Sequence, residues 1–244
     1  MSTFVAKAGS SLGKKFITGI TGFGLFVFIV THLGGNLLLL VGPDAFNAYA
    51  HYLHTAMHGW FLHMARAGLS AFFLFHVVSG LAVYRDKLRA RPERYEKMAD
   101  AGGTSRKTLS SRTMAFSGLV ILVFLVLHVA HFRFGPGLEQ GYVTEVNGVE
   151  MRDLYRLVVE EFNKPVVVYA YVFVMLLMGM HVRHGFWSMF QSLGLARPNT
   201  VPTLSGMGLV FGVVLAVGFM LVPLYILYFI PPPSEAALAP GVLP

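Results

Sequence analysis

Six histidines stand inside long apolar stretches of the chain: His32, His76, His128, His131, His181 and His184. An ionisable side chain in a membrane interior is costly and marks a functional position. The chemistry open to imidazole there is metal ligation, proton relay or hydrogen bonding between helices. Histidines on four separate stretches favour ligation, because helical bundles hold cofactors with inward side chains from facing helices. The 244 residues include no cysteine. That excludes thiolate iron–sulfur clusters, CxxCH heme attachment and disulfides. Any metal must be held by His, Met, Tyr or carboxylate, and ten histidines and twelve methionines are present.

The elements that must position these histidines are five apolar runs, at about 16–41, 62–84, 113–132, 166–190 and 206–230. Each is long enough to cross a hydrocarbon core of about 30 Å at about 1.5 Å per residue. The composition agrees: 55% hydrophobic residues and only 13% charged, against roughly 25% charged in soluble domains. The fold class expected is an all-α integral membrane protein, residues 1–244 forming one transmembrane domain with four of its five spans bundled around the histidines. Interfacial helices are expected at about 44–60 and 150–162, where Phe46, Tyr49, Leu53, Met57 and Trp60, then Leu154, Leu157, Val158 and Phe162, recur at helical spacing. The first run reads as a retained helix rather than a signal peptide, since no A-x-A-like site ends it. The tail PPPSEAALAP reads as extended or disordered.

The net charge of +7 does not imply a nucleic acid partner, because the basic residues flank apolar runs. Lys7, Lys14 and Lys15 precede the first run, and Arg85, Lys87, Arg89, Arg91, Arg94, Lys97, Arg106, Lys107 and Arg112 fill the second connection. The third connection holds Glu139, Glu145, Glu150, Asp153, Glu160 and Glu161. The positive-inside rule places the N-terminus in the cytoplasm and the C-terminus outside.

Depth then sorts the histidines. His32 lies seventeen residues past Lys15, about 25 Å from the inner edge, and His128 lies five before Arg133, about 8 Å from the outer edge. His76 lies nine residues before Arg85 and His181 ten before Gln191, about 14 and 15 Å from the inner side. Two pairs result: an outer one, His32 with His128, and an inner one, His76 with His181. Two bis-His sites at two depths suit two low-spin b hemes. Spacing leaves His131 as an alternative to His128, and His184 to His181, since residues three apart share a helix face. Zinc chelation by His-x-x-His is a further alternative, but no carboxylate on those runs completes such a site. Gly19, Gly22, Gly24, Gly34, Gly35, Gly80, Gly118, Gly179 and Gly185 would admit a flat cofactor or, equally, close helix packing. Arg66, Arg133 and Arg183 are candidate partners for heme propionates, or side chains snorkelling to headgroups.

Four motifs carry a family resemblance. HLGGNLLLLVGPDAFNAYAHYL from His32, FHVVSGLAVYRD around His76, LHVAHFRF around His128 and HVRHGFWSMFQSLG from His181 resemble the cytochrome b subunit of succinate dehydrogenases and fumarate reductases. The similarity is to the five-helix, di-heme b558 type and spans nearly the whole chain. The resemblance implies His32, His76, His128 and His181 as axial ligands and leaves His131 and His184 without that role. It also implies two heme b, a flavoprotein subunit and an iron–sulfur subunit at the cytoplasmic face, and electron exchange with a quinone, menaquinone in preference to ubiquinone. The dicarboxylate chemistry would belong to the partners, and the setting would be lipid of a bacterial cytoplasmic (inner) membrane. A quinone is expected beside the outer heme, near Tyr49, His51, His54 and His58. Some relatives carry a glutamate two residues before the fourth-helix ligand; here that position is Gly179, and none of the five runs contains an acid. The rival readings are the di-heme anchor of another respiratory oxidoreductase and a proton-coupled transporter.

Overall fold

The computed structural model describes residues 9–90 and 109–232. Lys7, most of the basic second connection (Arg91, Arg94, Lys97, Arg106 and Lys107) and the tail beyond Pro232 lie outside the described residues. Seven helices organise the rest: α1 (Ser11–Leu37), α2 (Pro43–Thr55), α3 (Trp60–Arg89), α4 (Met114–Arg133), α5 (Leu154–Phe162), α6 (Pro165–Ser192) and α7 (Val201–Phe229). Five of the helical stretches are long and apolar enough to cross a membrane. The chain is a multi-pass membrane protein of predominantly α-helical structure.

The helix ends have local causes. The Ser10 hydroxyl accepts the Gly13 N–H at 3.0 Å at the start of α1. Pro43 opens α2 and Pro165 opens α6, at first-turn positions where no backbone donor is needed. Between α2 and α3 the chain turns through three successive left-handed residues, Met57 (φ 53°), His58 (φ 55°) and Gly59 (φ 83°). Only the last adopts that conformation freely; the other two cost about 1–3 kcal/mol each.

The structure differs from the expected elements in three places. The 150–162 segment is not one helix: a hairpin, β1 (Val143–Val146) paired antiparallel with β2 (Val149–Arg152), precedes α5. Asn147 and Gly148 turn it with positive φ, the Asn-Gly signature of a tight hairpin. Asp153 then caps α5, its carboxylate accepting the Arg156 N–H at 3.0 Å. The 44–60 segment is helical as α2 only to Thr55 and continues as the 3-10 turn Ala56–Gly59. Helix α3 runs beyond Tyr84 to Arg89 and so contains Asp86, whose carboxylate meets Lys14 Nζ of α1 at 2.6 Å. An acid therefore does sit in one of the long helices, neutralised at its end.

Two compact units divide the chain. The first comprises the described residues of Met1–Ile29, Arg66–Val120 and Leu177–Val214. In it the Thr18 hydroxyl of α1 donates to Ser79 Oγ of α3 at 2.7 Å. Phe26, Phe186 and Phe211 join α1, α6 and α7 with ring centroids 5.0–5.2 Å apart. Helix α7 reaches the backbone of α6 through Gly208 and Gly212, where an added Cβ would lie 2.6 Å from the carbonyls of Arg183 and Gly179 respectively. The second unit comprises the described residues of Val30–Ala65, Ile121–Leu176 and Leu215–Pro244. Its core gathers Leu39, Phe46, Val158, Val159, Phe162, Val168, Val222 and Ile226. Asn47, 1% exposed, ties α2 to the start of α5: its Nδ2 donates to Asp153 at 2.9 Å and its Oδ1 accepts the Tyr155 N–H at 2.9 Å.

Candidate functional site

Each unit contains one pair of facing histidines. In the first unit His76 of α3 and His181 of α6 lie with ring centroids 6.4 Å apart and planes at 66°. In the second, His32 of α1 and His128 of α4 lie 6.0 Å apart with planes at 89°. Four different helices supply one imidazole each.

The hydrogen bonds of the first pair fix its tautomers. His76 Nδ1 lies 3.2 Å from the Thr18 carbonyl, which can only accept, so Nδ1 carries the proton. It also lies 3.4 Å from Thr21 Oγ1, whose own proton goes to the Ile17 carbonyl at 2.6 Å. His181 Nδ1 lies 3.1 Å from Ser117 Oγ, and that hydroxyl donates to the Met114 carbonyl at 3.2 Å. With the hydroxyl donating to that carbonyl, the serine oxygen accepts from His181 Nδ1, the roles at this contact following the tautomer. Both rings keep the Nε2 lone pair, and among the described residues neither Nε2 has a hydrogen-bond partner. A metal-ligating histidine has this signature: one nitrogen oriented by an outer hydrogen bond, the other presented to the metal.

Glycines on neighbouring helices hold the rings. A Cβ at Gly22 of α1 would meet His76 Cε1 at 3.1 Å, and one at Gly118 of α4 would meet His181 Cε1 at 3.4 Å. In the second unit His128 Nδ1 is 3.1 Å from the Tyr171 hydroxyl of α6, and the His128 ring packs on Phe124 and Phe132. His32 packs on Phe219 of α7, centroids 5.8 Å apart.

These pairs can be tested against iron in a b-type heme. Imidazole nitrogens bind a first-row metal at about 2.0–2.1 Å, so two rings in line across one iron have centroids about 6.3 Å apart. The observed 6.0 and 6.4 Å fit that requirement. The donor set fits as well, since neutral imidazole is a heme ligand. Among the described residues no group of three or more His, Asp or Glu gathers to hold a metal ion, so the His-x-x-His arrangement has no third zinc ligand.

The two neighbouring histidines take other contacts. His131 Nε2 lies 3.0 Å from the Glu161 carboxylate, and His184 packs edge-on to Trp187 at 6.2 Å. Glu161 is only 7% exposed. Burial alone would raise its pKa, but hydrogen bonds from Lys164, at 2.6 Å, and from His131 outweigh it and hold the carboxyl below its ordinary value. Of the arginine candidates, Arg66 is half-buried and Arg183 exposed in the first unit. Arg133, exposed in the second, lies over the Phe134 ring at 5.4 Å. Among the expected quinone contacts, Tyr49 packs its ring against Gly35, His51 is half-buried, and His54 and His58 are exposed. Gly179 is buried, and its carbonyl is backed by Gly212 of α7, a reason for a small residue at that position.

Sequence reasoning missed Thr18, Thr21, Ser117, Tyr171 and Glu161. The three small hydroxyl residues carried a signal, since each interrupts an apolar helix one turn or less from a glycine. No family model matches the chain, and neither a curated protein nor a solved structure is significantly similar to it.

Proposed function

We propose that this chain is the membrane-anchor cytochrome b subunit of a succinate:quinone oxidoreductase, binding two b hemes through His76 with His181 and His32 with His128. The observation that carries the reading is the pair of facing imidazoles in each unit, at 6.4 and 6.0 Å, a spacing suited to one iron between each pair. The family resemblance of the four histidine motifs supplies the rest. Bound there, the hemes supply one-electron transfer between an iron–sulfur subunit and a membrane quinone, menaquinone in preference to ubiquinone.

The protein's own residues prepare the sites. Thr18 and Ser117 accept the Nδ1 protons of His76 and His181 and so aim Nε2 at the metal. The Tyr171 hydroxyl lies within hydrogen-bond distance of His128 Nδ1, 3.1 Å away. Gly22 and Gly118 leave room for the rings, and the surrounding phenylalanines keep water from the ligands. In this reading Arg66, Arg133 and Arg183 are the candidates to hold propionates. The lysines before and in the first turns of α1 and the lysines and arginines at the end of α3 and after it set the N-terminus in the cytoplasm, the side on which the flavoprotein and iron–sulfur subunits dock. The dicarboxylate active site lies in those partners, and the membrane is the bacterial cytoplasmic one.

The test is the reduced-minus-oxidised absorption spectrum of the purified protein. Two b-type centres are expected in the wild type, His131→Ala and His184→Ala, and one in His128→Ala and His181→Ala. Absence of b bands from the wild type would sink the heme reading. Bands that succinate fails to reduce in the presence of copurified partner subunits would move the anchor to another respiratory oxidoreductase.

A further inference from the structure

The helices joined by the Lys14–Asp86 ion pair enclose a groove at the α1 N-terminal end of the first unit. The groove measures about 330 Å³. Its walls are Ser11 and Lys15 of α1, and Val83, Asp86 and Lys87 of α3 with Ala90 after it, all within that unit. Both walls follow helical spacing: Ser11 and Lys15 are four apart, and Val83, Asp86 or Lys87, and Ala90 recur at three and four, so each set is one stripe of its helix. Val83 lies just inside the apolar run that ends near Tyr84. The groove therefore sits where hydrocarbon gives way to headgroups.

Charge decides what the groove accepts. Its one carboxylate, Asp86, is already engaged by Lys14 Nζ at 2.6 Å. Lys15 and Lys87 are exposed, and among the described residues no carboxylate pairs with either. Two ammonium groups on opposite walls are thus left for a ligand, with the Ser11 hydroxyl beside them and apolar surface from Val83 and Ala90. The rim is apolar too. Ser11, Lys15 and Lys87 are each followed by an exposed hydrophobic residue: Leu12 (73%), Phe16 (49%) and Leu88 (55%). A soluble anion makes no use of that rim. An anionic phospholipid does, because its phosphodiester meets the ammonium groups while its acyl chains pass Leu12, Phe16 and Leu88. Basic pockets between membrane helices take lipid headgroups in this way.

We propose that the α1–α3 groove binds the headgroup of an anionic glycerophospholipid, with the phosphate held between Lys15 and Lys87. The site needs neither a heme nor a partner subunit, so it stands or falls apart from the proposed function.

The test is lipid binding to the delipidated full-length protein in detergent, titrated with phosphatidylglycerol and, as reference, phosphatidylcholine, and read by native mass spectrometry. The wild type should prefer phosphatidylglycerol. Lys15→Gln combined with Lys87→Gln should weaken that lipid by on the order of thirtyfold, about fivefold per lysine, and leave phosphatidylcholine unchanged. Ala90→Phe, which fills the groove without altering charge, should weaken it as well. Arg85→Gln combined with Arg89→Gln removes the same charge from the same end of α3 but from outside the groove, and should cost far less. Inorganic phosphate should not displace the lipid. Wild-type thermal denaturation in the lysine and Ala90 variants marks their losses as losses of the site rather than of the fold. Equal losses in the arginine and lysine variants would mean attraction to a basic surface at large, and displacement by inorganic phosphate would mean a site for a soluble anion. Either result overturns the proposal, as does equal affinity of the wild type for the two lipids or undiminished binding in the lysine variant.

Discussion

Ser117→Ala isolates one ligand's orientation from everything else in the protein. The Ser117 side chain is wholly buried, 0% exposed. Its hydroxyl gives its proton to the Met114 carbonyl and takes the Nδ1 proton of His181 at 3.1 Å. Alanine strands that N–H in an apolar surround, a cost of about 1–3 kcal/mol, or roughly 5- to 150-fold in an equilibrium that needs the Nδ1-protonated ring. Measured losses on removing the outer partner of a metal-ligating histidine, about 10- to 100-fold in metal affinity, fall inside that range. The assay is the extent of heme loss to a heme-scavenging protein, followed in the b bands. One centre, that of His76 and His181, should loosen by about one to two orders of magnitude. The other should not, because the imidazole that Ser117 meets is His181. Ser79→Ala is the control. It removes another buried hydroxyl of the same unit, bonded to Thr18 and the Phe75 carbonyl and to no imidazole. Equal heme loss in Ser79→Ala and Ser117→Ala, or wild-type retention in Ser117→Ala, would refute the orientation argument.

Two further outcomes follow from the second unit. Asn47→Ala should lower the thermal stability of the solubilised protein, since it leaves the Tyr155 N–H and an Asp153 oxygen without their buried partner. Each orphan costs about 1–3 kcal/mol, and thermal denaturation followed by circular dichroism checks it. Acid should weaken the same unit through Glu161, whose folded carboxyl is held below the ordinary 4.5. A depressed folded pKa contributes stability that is fully present above the unfolded value and lost as pH falls through the folded one. Thermal stability should therefore drop below about pH 4.5, and Glu161→Gln should flatten that limb; an unchanged acid limb in the variant would exclude Glu161 as its source.

The five long helices were legible because twenty apolar residues in a row have few other fates, and the rings that face one another are His32 with His128 and His76 with His181. What escaped has a common physical origin. The Asn147–Gly148 turn carries a strong local signal, but the helical spacing of Leu154, Leu157, Val158 and Phe162 drew the whole segment into one helix. Asp86 lies beyond the apolar run that ends near Tyr84, yet within α3, where Lys14, 72 residues away, neutralises it. Asn47 with Asp153, and His131 with Glu161, are likewise long-range polar pairs. No periodicity announces a partner that lies in a different element.

The glycines show how one residue type divides into separate jobs once neighbours are known. Gly212 lets α7 touch the backbone of α6, and Gly218 makes room for Leu33, whose Cδ2 would lie 2.7 Å from an added Cβ. These are contacts of helix on helix. Gly34, Gly80 and Gly185 have nothing within 4 Å of an added Cβ, so no protein contact requires them to be small. Gly22 and Gly118 differ from both groups, because what they face is an imidazole. At Gly22 a methyl would press on His76 Cε1 from 3.1 Å, while Thr18 and Thr21, one turn or less away on the same helix, hold its Nδ1. At Gly118 the arrangement repeats for His181, with Ser117 beside it. An acceptor near Nδ1, the Thr18 carbonyl at His76 and the Ser117 oxygen at His181, stands with a glycine on the helix opposite each histidine, and the two together constrain the imidazole. Ordinary helix packing would require the glycine and leave the hydrogen bond unexplained; a lone interhelical hydrogen bond would leave the glycine unexplained. Their occurrence together on two different helices is the arrangement that the proposed ligand role calls for.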